Sequence, residues 1–197
     1  MLLGYIAWSF SVAAISTVSS QITSELQRGT LFFKLNCKLP LQILYIGDLV
    51  SAVFVQTFII IVYSLVTHIV FGVQYYITGE IFFSLFVCTI GMYGIGLIIA
   101  GLSIYFKRIG SLTFLVQLCL LFITDTVPTI SAITNVSSVL PLTMCNAVIK
   151  NNFIENSPAN NSLIYLCILS VVWFIIGYII FELFIILAKR RGNLLLY

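Results

Sequence analysis

The chain has 197 residues, 61% of them apolar and 8% charged, with nine Lys/Arg, six Asp/Glu and one His for a net charge of +3. An ordinary soluble domain carries about 25% charged residues, so so few charges cannot give a 22 kDa chain a water-facing surface, and a mean hydropathy of +1.16 agrees. A soluble enzyme, a nucleic-acid binder and a disordered segment are excluded, and the charge pattern is read as a guide to membrane topology.

Crossing an apolar layer of about 30 Å takes roughly 20 residues. The long uncharged runs predict helices near 2–22, 43–72, 81–106, 110–130 and 160–188. The expected fold is therefore an all-α polytopic membrane domain over 1–197 with about five spans. Met1 leads straight into apolar sequence with no basic stretch or small-residue cleavage site, so a cleaved signal peptide is not expected.

The first connection, 23–42, is an elbow containing Thr23-Ser24-Glu25-Leu26-Gln27-Arg28-Gly29-Thr30 and then Lys34, Cys37, Lys38 and Pro40. Ser24 or Thr23 is expected to cap a short helix there, with Arg28 on the same face as Glu25. Leu31, Leu35 and Leu39 repeat every four residues beside Lys34 and Lys38, the pattern of an amphipathic helix lying at the membrane surface. Between the fourth and fifth spans, 131–159 reads as an irregular outer loop: it holds Pro141, Asn135, Ser137, Ser138 and Asn146, with Leu140-Pro141-Leu142-Thr143 opening a possible short helix.

If the elbow is inside, Arg28, Lys34, Lys38, Lys107, Arg108, Lys189, Arg190 and Arg191 are all inside and Lys150 alone is outside. That asymmetry places the amino terminus outside and the carboxyl terminus inside.

No GxxxxGK[ST] phosphate loop, HExxH or paired CxxC is present, and one His is too few for a His-based metal site. No catalytic residue, cofactor or metal is expected on this chain. The five cysteines (Cys37, Cys88, Cys119, Cys145, Cys167) are scattered, with Cys145 in the outer loop, and read as small apolar side chains rather than a disulfide framework.

Four stretches in order resemble the permease subunits of type-2 ABC exporters. Glu25-Leu26-Gln27-Arg28-Gly29-Thr30-Leu31 followed by Leu39-Pro40 is similar to that family's cytoplasmic elbow. Tyr93-Gly94-Ile95-Gly96-Leu97 through Ala100-Gly101-Leu102-Ser103 looks like its glycine-rich helix. Leu140-Pro141-Leu142-Thr143 resembles the motif before the last helix, and Ala188-Lys189-Arg190-Arg191-Gly192-Asn193-Leu194 the basic tail after it.

The resemblance covers essentially the whole chain and implies a permease of the bacterial cytoplasmic membrane. It would pair with a second permease, identical or related, around a translocation path, and couple to a separate ABC ATPase subunit that holds ATP and Mg. It implies that Glu25, Arg28, Gly29 and Thr30 make the coupling contact. Two features depart from the family. Five spans are expected where it has six, the element lacking being its first helix, and Asp48 follows Gly47 where the family often has a lysine.

Gly91, Gly94, Gly96, Ala100 and Gly101 give helix 81–106 small surfaces for close packing, and a bulky residue at Gly96 is expected to be far more damaging than Phe82→Leu. The ionisable residues in or near spans are Asp48, His68, Asp125 and Glu182, and charge at mid-membrane is costly. His68 is expected at an interface. Asp125, just before Pro128, is expected to act as a cap or subunit contact, and Glu182 to pair locally or reach the inner interface. Paired intramembrane acids and an inverted repeat are both lacking, which disfavours a secondary transporter. From another class, a membrane-embedded accessory or immunity protein without transport activity would show the same glycine packing and need no ATPase.

Overall fold

The computed structural model describes residues 2–35, 41–71, 79–106, 110–123, 139–154 and 160–190. Over these residues the chain is helical: α1 (Leu2–Arg28), α2 (Leu31–Leu35), α3 (Leu41–Phe71), α4 (Gly79–Phe106), α5 (Gly110–Ile123), α6 (Pro141–Ile154) and α7 (Asn160–Arg190). Three stretches, Leu41–Val70, Gly79–Phe106 and Asn161–Arg190, are long and apolar enough to cross a membrane.

α1, with 27 residues, is about 40 Å long at 1.5 Å per residue. It is less apolar because its second half carries Ser16, Thr17, Ser19, Ser20, Gln21, Thr23 and Ser24. Most of these hydroxyls bond carbonyls one turn back, as in Thr17 to Ala13 (2.6 Å) and Thr23 to Ser19 (2.7 Å), so the polar atoms are satisfied inside the helix. α5 has 14 residues, about 21 Å, and covers only the first part of the 110–130 span; residues 124–130, with Asp125, lie outside the described residues.

α4 occupies the centre, packed against α7, α1 and α6. It is apolar on every side, so burial suits it on every side: Met92, Tyr93, Leu97 and Ala100 are fully enclosed. Its glycines lie where neighbours come closest. At Gly94 the backbones of α4 and α7 meet: a Cβ there would overlap the Trp173 carbonyl, and a Cβ on Gly177 would overlap the carbonyl of Gly94. A Cβ at Gly91 would sit 2.8 Å from Pro141 of α6 and 3.0 Å from the Ser170 Cα of α7. At Gly101 it would sit 2.9 Å from the Phe184 ring, and at Gly96 3.1 Å from the Ile15 Cα of α1. Without water to drive apolar association, helices in lipid gain most from close backbone approach, and this seam provides it.

α3 is the opposite case. It packs on α1 and leaves Phe54, Phe58 and Ile69 largely exposed.

α6 begins at the Leu140-Pro141-Leu142-Thr143 stretch where a possible short helix is expected, and runs on through much of the segment expected as an irregular loop. Residues 141–154 form a helix with Leu142, Cys145, Val148 and Ile149 buried. Pro141 suits the first helical position, where no N–H is required, and the Leu140 carbonyl accepts from Thr143 N (3.2 Å) and Met144 N (3.4 Å). The closeness of Pro141 to Gly91 places this first turn about 18 Å along α4 from Gly79. α6 is thus a half-length helix starting in the middle of the bundle. Irregular backbone at such depth needs its polar groups satisfied, and the Trp173 indole satisfies one by donating to the Val139 carbonyl at 2.8 Å, at an exposed position. Cys145, expected in the outer loop, is a fully buried side chain of the bundle.

Candidate functional site

The elbow differs from the expected capped helix. α1 runs unbroken through Ser24 and Thr23, whose hydroxyls bond the Gln21 and Ser19 carbonyls instead of capping a new helix. No breaker interrupts the sequence until Gly29, and there the helix stops. Gly29 has φ +68°. Its N–H donates to the Leu26 carbonyl (3.2 Å) and the Thr30 N–H to the Glu25 carbonyl (3.0 Å), a Schellman C-cap. Nothing lies within 4 Å of a Cβ built at Gly29, so the constraint is conformational rather than steric. Gly29→Ala is therefore expected to cost about 1–2 kcal/mol, the penalty of the left-handed region for an L-residue, measured by unfolding in detergent. The five residues of α2 follow, and Leu31 is buried. Leu39, Cys37, Lys38 and Pro40, the rest of the expected amphipathic helix, lie outside the described residues.

Of the four residues expected to form the coupling contact, Arg28, Gly29 and Thr30 are exposed and Glu25 is buried. Glu25 and Arg28 are both on α1, as expected of one helix, but the ion pair of Glu25 is made with another element. Glu25 is held by an ion pair with Lys34 of α2 and by the Tyr45 hydroxyl of α3, which donates to Oε2 at 2.5 Å. The Lys34 ammonium also lies 5.4 Å from the Tyr45 ring centroid, within cation–π range. Arg28 instead occupies the last turn of α1, where a positive charge complements the negative end of the helix dipole.

This cluster continues inward. One turn before Tyr45, the Gln42 carbonyl accepts from the Tyr93 hydroxyl of α4 at 2.8 Å, with both residues buried. Tyr93 stacks on Phe174 of α7 at 6.1 Å between centroids and precedes Gly94, the crossing point of α4 and α7. A line of contacts thus runs from α2 through Glu25 and Tyr45, along one turn of α3 to Gln42, and on to Tyr93 at the centre of the bundle. Lys34, Tyr45, Gln42, Tyr93 and Gly177 were not singled out as site residues by sequence. Gly177 had a visible signal: it is the lone glycine in the bulky run from Val171 to Leu187.

Two cavities flank these contacts. A groove of about 370 Å³ between α1 and α5 is lined by Ser16, Ser19, Ser20, Thr23, Ser24 and Gln27 with Thr113, Phe114 and Gln117. Among the described residues its lining carries no ionisable side chain, and Ser19 Oγ bonds Thr113 Oγ1 across it at 2.7 Å. The second, about 470 Å³, is apolar and lies among α3, α4 and α7, with Leu49, Val53, Phe82, Phe86 and Phe174 in its wall. Of the remaining charged candidates, Glu182 and His68 are exposed, whereas Asp48, half-buried on α3 one turn after Tyr45, acts electrostatically on both Tyr45 and Tyr93 at the edge of the cluster.

Comparison of the chain with protein-family models, with curated proteins and with solved structures found no match.

Proposed function

We propose that the chain is the permease subunit of an ATP-driven ABC exporter, paired with a second, identical or related permease and worked by a separate ATPase subunit that carries ATP and Mg. The observation that carries this reading is the elbow. Its exposed part, Arg28, Gly29 and Thr30, is fixed by a buried carboxylate to three helices at once, and the contacts continue to the α4–α7 crossing. A pushed surface element needs such a rigid chain of contacts if its displacement is to reach the bundle.

On this reading α1 and α5, with residues beyond 123, complete five spans, and α2 is the docking step at the inner face. The basic residues around the elbow and at Lys189 and Arg190 support a carboxyl terminus inside and an amino terminus outside in the proposed bacterial cytoplasmic membrane. The uncharged polar groove of α1 and α5 faces the path, because amides and hydroxyls are poorly accommodated by lipid. The open faces of α3 meet lipid or the second permease.

The test is purification in mild detergent, in which an ABC-type ATPase is expected to accompany the chain. A chain recovered with no ATPase subunit contradicts the proposal and favours an accessory protein. Orientation has its own check. A membrane-impermeant thiol reagent on intact cells is expected to label a cysteine placed at Asn156 but not at Gln27 or Asn193, and labelling at Asn193 refutes the topology.

A further inference from the structure

We infer that Cys88 and Cys145 form a binding site for a soft monovalent cation of the Cu⁺/Ag⁺ class, buried where α1, α4 and α6 meet. Four polar side chains from these helices make a row: Ser11, Cys88, Cys145 and Ser84, each at most 1% exposed. Ser11 Oγ is 3.8 Å from Cys88 Sγ, Cys145 Sγ is 3.8 Å from Ser84 Oγ, and the two thiols neighbour each other.

The row is one proton short. Each serine hydroxyl donates to its own helix, Ser11 to the Ala7 carbonyl at 2.9 Å and Ser84 to the Ile81 carbonyl at 2.8 Å. A hydroxyl or thiol has a single proton. Two thiol protons therefore remain for three contacts, Ser11–Cys88, Cys88–Cys145 and Cys145–Ser84. One contact is left with lone pairs on both sides, among side chains that are all buried. A cation between the sulfurs would bond those lone pairs.

The chemistry selects the cation. Thiol ligands favour soft ions such as Cu⁺. When a monovalent ion binds, one S–H bond breaks, the metal bonds both sulfurs and the proton leaves to solvent. The resulting set of one cation, one thiolate and one thiol is neutral, as an enclosed apolar site requires. Zinc is disfavoured, because it takes four ligands in a structural site and no group of three or more His, Cys, Asp or Glu gathers among the described residues. This site is independent of the exporter reading.

The test uses the full chain, reduced and purified in mild detergent, with Ag⁺ as probe and excess glutathione to strip weakly held metal. One silver per chain is expected to survive desalting, with a raised melting temperature. Replacing Cys119 and Cys167, which lie apart from the pair and are exposed and half-buried respectively, is expected to leave that silver in place. C88S, C145S and the double variant are expected to retain none, although serine preserves the hydrogen-bonding row and hence the fold. Retention of silver by either single variant, or its absence from the unaltered chain, overturns the inference. If the double variant fails to fold, the single variants decide it.

Discussion

Gly94→Leu is expected to prevent the bundle from assembling, and Gly94→Ala to reduce stability at or above the upper end of the roughly 1–3 kcal/mol typical of overpacking. The reason is the atom that stands in the way. A Cβ at Gly94 meets the Trp173 carbonyl and the Phe174 Cα at 2.9 Å, which are backbone atoms of a neighbouring helix and cannot rotate aside. Gly177→Ala meets the Gly94 carbonyl from the other side and is expected to do the same damage. Because either substitution separates the same two helices, the double variant is expected to lose less than the sum of the two, the sign of residues in direct contact. Gly96→Ala is expected to be milder, since its nearest neighbour, the Ile15 Cα, is 3.1 Å away and needs to give only slightly. Phe82 is half exposed, and Phe82→Leu is expected to stay within about 0.5 kcal/mol, like most surface changes. Melting temperatures in detergent give the ranking, and equal values for Gly94→Ala and Phe82→Leu contradict it.

The second large effect lies at the elbow, where Lys34 and Tyr45 are expected to outweigh Arg28. Tyr45→Phe removes a donor from a buried carboxylate, and a hydrogen bond to a charged group contributes about 1.5–3 kcal/mol. Lys34→Met takes away the partner of that carboxylate. Breaking a fully buried pair costs about 3–5 kcal/mol, but the Lys34 side chain is 36% exposed, so solvent screening brings the expectation to about 1–3 kcal/mol. Arg28→Ala is expected to change stability by no more than about 0.5 kcal/mol. Unfolding measurements that place Arg28 above Lys34 and Tyr45 contradict the geometry. Glu25→Gln keeps the shape and loses the charge, and is expected to fall between Arg28→Ala and Glu25→Ala.

The sequence reveals most about segments whose fate is set by composition alone. Runs such as 43–72, 81–106 and 160–188 have no charge or breaker strong enough to stop a helix in an apolar medium, and all three appear as long helices within a few residues of the expected ends. The half-length helix was legible at its start, Leu140-Pro141-Leu142-Thr143, but not in its extent or depth. Pro141 and Asn146 look like loop residues when counted by type, yet Leu142, Cys145 and Ile149 recur at helical spacing and are the buried face. Here periodicity outweighed local turn preference.

The elbow misled for a related reason. Ser and Thr favour helix caps only when the chain has cause to stop, and before Gly29 it has none. Local spacing also brought Arg28 to Glu25, three residues away. The partner observed is nine residues away, beyond the turn that Gly29 makes, and such a pairing is set by tertiary structure. Tyr45 and Tyr93 belong to the same class: their hydroxyls bridge separate helices, and only their burial reveals it. The α4–α7 crossing was half visible, since the glycines of α4 stood out as a group while the single Gly177 that faces them did not.

In the proposed function the elbow transmits motion between an ATPase subunit and the bundle. Its most direct test is the ATP hydrolysis rate of the purified complex in liposomes, with the permease unaltered and carrying Glu25→Gln or Tyr45→Phe, both chosen to leave the helices assembled. Coupled sites typically differ by about 5–150-fold, and a fall in permease-stimulated hydrolysis of roughly tenfold is expected for each variant, with the ATPase subunit still bound. Unchanged stimulated hydrolysis in both, with complex and fold intact, would contradict the claim.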